Sequence, residues 1–115
     1  MNDLHPKVLV TANYGLEGKK VINYKVLIDD ALKTASHKPE KVIVYRREEK
    51  ESPLAMTEGR DLFWQDLMAA QKRMQPCVVL DSTDPLYVLH TSGTTGNPKG
   101  IVRDNGGHAV ALKWR

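Results

Sequence analysis

Apolar residues run along this chain in two rhythms, and the alternation between them outlines an architecture. Lys7 to Ala12, KVLVTA, is a short apolar run of the kind that forms a buried strand. Asn13 to Lys19, with two glycines, predicts a turn. From Tyr24 the apolar positions fall at Tyr24, Leu27, Ile28, Ala31, Leu32 and Ala35. That spacing makes one face of a helix and leaves Lys25, Asp29, Asp30 and Lys33 largely to solvent. Ser36 to Pro39 stops the helix, because Pro39 disfavours helical geometry at Lys38. Lys41 to Tyr45, KVIVY, returns to the strand rhythm. Strand, helix and strand in this order predict a right-handed βαβ crossover in a parallel sheet.

The second half reads less regularly. Arg46 to Gly59 is charged and carries no sustained period, which predicts a surface loop. Asp61 is placed to cap a helix over about Leu62 to Met74, with Phe63, Leu67, Ala70 and Met74 on one face, Trp64 as a core anchor and Pro76 as the stop. Val78 to Leu80 predicts a short strand or edge segment, and Ser82 to Pro85 a turn. Leu86 to His90 and Ile101 to Arg103 read as two further strands. Asp104 to Gly107 reads as a turn before a last helix, His108 to Trp114. The fold class that results is α/β: a parallel or mixed sheet with flanking helices, followed by strand, loop and strand. There is no internal repeat and no low-complexity tract.

The loop between those last strands is Thr91 to Gly100, TSGTTGNPKG, with three glycines, four hydroxyls, one proline and one lysine. Glycine lets the backbone turn its N–H groups inward around an anion, hydroxyls add donors, and a lysine adds mobile positive charge. A Walker loop, G-x-x-x-x-G-K-[ST], does not fit. Counted from Gly93, Pro98 falls where the second glycine belongs, and proline has no N–H to give. Ile101 and Val102 favour a strand where that motif needs a helix. The dinucleotide fingerprint G-x-G-x-x-G is also missing, since Gly93 and Gly96 have no glycine between them. A plain inter-strand turn would explain the glycines, Asn97 and Pro98, but not four hydroxyls beside them.

Read as a whole, Thr91 to Gly100 resembles the signature loop of the adenylate-forming enzymes, the acyl-CoA synthetase, luciferase and peptide-synthetase group, with His90 standing where many members carry Tyr or Phe. The stretches VTANYGLEGKKVINYKVLIDDAL, TEGRDLFWQDLMA and DPLYVLHTSGTTGNPKG are similar to segments of short-chain acyl-CoA synthetases. IVRDNGGHAVALKW, with Arg103, Asp104, Gly106 and Gly107, is closer to propionate-type members than to acetate-type ones. The resemblance implies the large-domain fold of that group and two half-reactions. A carboxylate attacks the α-phosphate of Mg-ATP, and coenzyme A then displaces AMP. It assigns the ATP phosphates to Thr91, Ser92, Gly93, Thr94, Thr95, Gly96 and Lys99, with ATP, Mg2+ and coenzyme A as the cofactors. No catalytic residue and no metal ligand is assigned within the chain. Members of the group are several times longer and carry a mobile C-terminal domain. The expectation is therefore that residues 1–115 are part of an adenylation domain, inactive and poorly folded alone. The alternatives are a non-catalytic nucleotide-binding module and a truncated interaction product with the same loop.

Composition narrows this only slightly. The net charge of +3 is mild, and the basic run at Arg46 and Arg47 is cancelled by Glu48, Glu49 and Glu51. Aromatics are not interleaved with the basic residues, which argues against a nucleic-acid surface. The single cysteine, Cys77, reads as a buried structural thiol and fits a reducing compartment. No apolar run approaches the ~20 residues of a membrane helix. Small-molecule substrates and a cytoplasmic location are expected, with the mitochondrial matrix as the alternative in a eukaryote. His90 and His108 read as packing or surface histidines, and Arg103 with Gly106 and Gly107 as a plain turn more readily than a second polar turn beside the nucleotide. Asp29, Asp30, Asp61 and Asp66 are assigned to solvated faces or caps.

Overall fold

The computed structural model describes residues 2–92, 96 and 98–114. The chain divides into two units, Met1–Arg73 and Met74–Arg115.

The first unit is built on a three-stranded sheet of β1 (Val8–Ala12), β4 (Lys41–Tyr45) and β5 (Asp61–Phe63), in the order β1-β4-β5. All pairs are parallel, with Val8 opposite Lys41 and Val42 opposite Asp61. A parallel pair needs a crossover, and between β1 and β4 that crossover carries the helix α1 (Tyr24–Thr34). The predicted strand, helix and strand are therefore present, and KVIVY forms the central strand with the predicted bounds. Between Ala12 and α1 the expected turn is in fact a hairpin, β2 (Gly15–Glu17) antiparallel to β3 (Lys20–Ile22). Gly18 supplies the positive φ of its two-residue turn, at +59°.

Val42 and Val44 project from one face of β4 and are fully buried with Leu32 of α1; Leu9, Ile28, Leu54 and Met56 pack around them. Leu54 and Met56 come from the charged stretch after β4, so that stretch is a crossover with an apolar underside rather than a free surface loop. Each fully buried aliphatic contributes about 1.5–3 kcal/mol. The opposite face stays largely open: Val10 is 58% exposed, and Val8, Tyr45 and Leu62 are also exposed.

The helical face differs from its prediction. Leu27 and Tyr24 are exposed, whereas Lys25 is only 1% exposed. Asp61 is no helix cap; it lies in β5, and α2 (Trp64–Ala70) starts later without a side-chain cap. That helix stops four residues short of Met74, Pro76 plays no part in ending it, and Trp64 is exposed rather than a core anchor.

Beyond β4 two amide side chains prolong the sheet. Arg47 N–H donates to Asn13 Oδ1 at 2.9 Å while Asn13 Nδ2 donates to the Arg47 carbonyl at 3.1 Å. On the other side Gln65 does the same for Arg46, at 3.3 and 2.6 Å. Each amide presents the donor and acceptor of a peptide group, so it substitutes for a missing strand residue.

The second unit is an antiparallel ribbon, β6 (Pro85–Thr91) with β7 (Lys99–Asp104), followed by the helix α3 (Asn105–Lys113). Cys77 is exposed, and Val78, Val79 and Leu80 are exposed and form no strand. Asp104 to Gly107 is not a separate turn: Asp104 is the N-cap and Gly106 and Gly107 lie in the first turn of α3.

Candidate functional site

TSGTTGNPKG joins two hydrogen-bonded strands, as the β-branched Ile101 and Val102 favour. Thr91 at the end of β6 lies directly opposite Lys99 at the start of β7, and His90 opposite Gly100. Opposed residues of an antiparallel pair share a face. The hydroxyl of Thr91 and the ammonium of Lys99 therefore flank the loop mouth on one side of the ribbon, both exposed. Ser92 is exposed at the first loop position. Gly96 has φ +85°, a conformation that side chains with a Cβ rarely adopt. Gly93, Thr94 and Thr95, assigned to phosphate contacts, lie outside the described residues.

Gly100 has a different reason to be glycine. A Cβ there would meet Val88 Cγ1 at 3.1 Å and His90 Nε2 at 3.2 Å. The imidazole thus covers bare backbone across the ribbon, a place an aromatic ring could also fill. His90 is a packing residue, as expected.

At the other end of the ribbon the helix is anchored by polar bonds. Asp104 Oδ1 accepts from Gly107 N–H at 2.5 Å, and Gly106 N–H donates to the Ser82 carbonyl at 2.8 Å. Asn105 holds the Asp84 carbonyl with both its backbone N–H and its side chain, at 3.1 and 2.9 Å. Two glycines in a first turn cost about 1 kcal/mol each in helix propensity, yet a Cβ on Gly106 would lie 3.1 Å from the Ser82 backbone oxygen. Gly106→Ala is expected to speed hydrogen exchange at Asn105 and residue 106 about tenfold, since the crowding outweighs the gain in propensity. Unchanged exchange there would mean the turn yields freely.

Between β7 and α3 lies a groove of about 410 Å3, lined by Tyr87, Val102, Arg103, His108, Ala111 and Leu112 among others. His108 meets the Tyr87 ring edge-on, with centroids 5.4 Å apart.

The first unit holds a buried ion cluster that sequence reasoning missed. Lys25 Nζ donates to Asp29 at 2.6 Å, to the Ala55 carbonyl at 2.9 Å and pairs with Asp61 at 2.9 Å. Its three donors are all used. Arg60 pairs with Asp29 at 2.7 Å and with Asp61 at 2.5 Å. Burial pushes the Asp61 carboxyl up, but the bonds from Arg60, the Thr57 N–H and Lys25 outweigh it and bring the pKa down to about 2. The Arg60 guanidinium is held more firmly charged, chiefly by its bond to Asp61. A helical period marks Lys25 as polar and hence solvated; no local pattern reveals that residues 60 and 61 return to cover it. Saturated on every side, the cluster is structural. Among the described residues no group of three or more His, Cys, Asp or Glu could hold a metal ion.

Residues 1–114 match the AMP-binding enzyme family. The chain is 52% identical over 114 residues to an uncharacterized protein of Pseudomonas aeruginosa, covering 99% of this chain and 18% of that protein. It is 46% identical over 115 residues to the mitochondrial acyl-CoA synthetase short-chain family member 3 of Homo sapiens (99% of this chain, 16% of that protein). It is 41% identical over 110 residues to the acetyl-coenzyme A synthetase of Pasteurella multocida (96% and 16%). The chain thus spans 16–18% of the length of these relatives.

Proposed function

Because the chain belongs to the AMP-binding enzyme family, we propose that it supplies the phosphate-gripping segment of an ATP-dependent short-chain acyl-CoA synthetase. In that reaction an oxygen of acetate or propionate attacks the α-phosphorus of ATP, and the bond to the departing pyrophosphate breaks. Coenzyme A thiolate then attacks the acyl carbon and AMP leaves. The observation that carries this reading is the pairing of β6 with β7 on either side of TSGTTGNPKG, with Thr91 directly opposite Lys99.

The proposed roles follow from charge. Hydroxyls and N–H groups of Thr91, Ser92, Gly93, Thr94, Thr95 and Gly96 donate to phosphate oxygens, and Lys99 offsets the charge that grows on the pyrophosphate. Between Pro85 and Arg103 the sequence has hydroxyls but no carboxylate. A Mg2+ accompanying ATP would therefore be held here by hydroxyl, phosphate and water oxygens, which suits its preference for retained waters.

We place residues 1–115 within an adenylation domain whose remaining parts, including a small C-terminal domain, lie elsewhere in the full protein. The 115-residue chain alone is then inactive. Its partners are small molecules, and its location is the cytoplasm or the mitochondrial matrix. No helix among the described residues is long and apolar enough to cross a membrane.

A chimera tests the reading: this chain replaces the matching stretch of the Pasteurella multocida acetyl-coenzyme A synthetase. Carboxylate-dependent exchange of pyrophosphate into ATP is expected to persist, within about tenfold of the host enzyme. Soluble, folded chimera without exchange would refute it.

A further inference from the structure

We propose that Asn105 is a deamidation site, held unreactive while the turn from Ser82 to Asp84 is closed against it; this is independent of the reaction proposed above. Arg103 and Asp104 end β7 and Asn105 opens α3, so the RDNGG stretch is a strand-to-helix junction rather than a plain turn. Of the five asparagines in the sequence, only Asn105 precedes a glycine. Glycine has no side chain to obstruct its own nitrogen, and its backbone turns freely. The chemistry depends on two nitrogens. The Gly106 backbone nitrogen attacks Asn105 Cγ, the bond from Cγ to Nδ2 breaks, and ammonia leaves with the proton from the Gly106 nitrogen. Water then opens the cyclic imide to aspartate or isoaspartate.

One turn engages both nitrogens. Gly106 N–H donates to the Ser82 carbonyl at 2.8 Å, and Asn105 Nδ2 donates to the Asp84 carbonyl at 2.9 Å. Asn105 and Gly106 are half-buried there. The turn is itself closed by Asp84, whose N–H donates to the Asp81 carbonyl at 3.1 Å and whose Oδ2 accepts from the Asp81 N–H at 2.9 Å. Ring closure also requires the Asn105 backbone to leave the helical conformation of α3. Attack therefore waits on a local opening that breaks the bonds to Ser82 and Asp84 together. Loss of ammonia makes the conversion one-way. Residue 105 then carries a carboxylate where Nδ2 faced the Asp84 carbonyl, so two acceptors meet and that bond cannot reform. Isoaspartate also adds a carbon to the main chain in the first turn of the helix. The modification thus weakens the joint that had prevented it.

Mass spectrometry of the chimera, held at mildly alkaline pH, tests this whether or not the chimera exchanges pyrophosphate. Conversion of Asn105 is expected to be ~tenfold or more slower in the folded chimera than in the same chimera in guanidinium chloride, because it follows the opened fraction of the joint. Asp84→Ala removes the acceptor for the Asp81 N–H and loosens the turn. It is expected to speed conversion at least ~threefold in the folded protein, with the rate in denaturant unchanged. Hydrogen exchange of the Gly106 amide accelerates in parallel. Equal conversion in the folded and unfolded parent chimera overturns the proposal. So does an Asp84→Ala chimera that stays folded and converts no faster than the parent.

Discussion

Lys25→Ala is expected to destabilise the parallel sheet by about 3–5 kcal/mol, the cost of removing one partner from a buried ion pair. The size follows from what stays behind. Asp61 has a fully buried side chain, and without Lys25 it keeps Arg60 and the Thr57 N–H but loses a direct opposite charge at 2.9 Å. Ala55 loses the donor to its carbonyl at the same time. Exchange of the β4 amides of Val42 to Val44, measured in the chimera, is expected to accelerate by two to three orders of magnitude. Lys33→Ala, which removes a solvent-exposed partner of Asp30, serves as the control. Equal effects from the two would show that burial confers nothing on the Lys25 cluster.

Acid provides a second measure of the same cluster. The Asp61 pKa falls from 3.8 to about 2 in the folded state. A depressed carboxyl stabilises the fold above its unfolded pKa and ceases to do so as pH falls through the folded one. The contribution, about 2 kcal/mol, is therefore complete above pH ~4 and lost between pH ~4 and 2. Asp61→Asn should flatten that part of the acid unfolding curve.

What could be read in the sequence divides along a physical line. KVIVY and the strands around TSGTTGNPKG were legible because β-branched runs between turn formers specify a strand locally. The α1 limits were legible from the 3.6-residue period. The side that α1 buries was harder to see. A lysine counts as polar in any period, and its burial depends on Asp61 and Arg60, some 35 positions later. Asp61 itself has the residue type of a cap, and only the pairing of β5 with β4 withdraws it from that role. Cys77 and Val78 to Leu80 have the composition of a core, but no described element of their unit covers them. Of the candidate site, the placement of TSGTTGNPKG between two strands was legible. The groove at Arg103 was not, because the glycines that suggested a turn are there for the closeness of Ser82 to α3 and for the Asp104 cap.

Lys99→Ala is expected to lower kcat/KM for ATP in the chimera by 10- to 100-fold, with thermal unfolding unchanged. A charge-assisted hydrogen bond contributes about 1.5–3 kcal/mol, which sets that range. The residue is exposed at the loop mouth and opposite Thr91, so its removal leaves no cavity and no buried partner. Lys99→Arg should retain part of the activity, since the charge remains but its shape changes. Gly96 provides the complementary test, because its substitution alters the loop without touching charge. Among the described residues nothing lies within 4 Å of a Cβ at Gly96, and its φ is +85°, so the effect is expected to come from backbone conformation rather than from collision. Gly96→Asn should then be milder than Gly96→Ala, and Gly96→Val worst, because asparagine tolerates left-handed backbone and β-branched residues do not. A rank that follows side-chain volume would show instead that the loop is limited by space. Together the two series separate charge from conformation: under the proposed role, Lys99 variants are expected to respond to the charge on the departing pyrophosphate, and Gly96 variants to the left-handed backbone at that position.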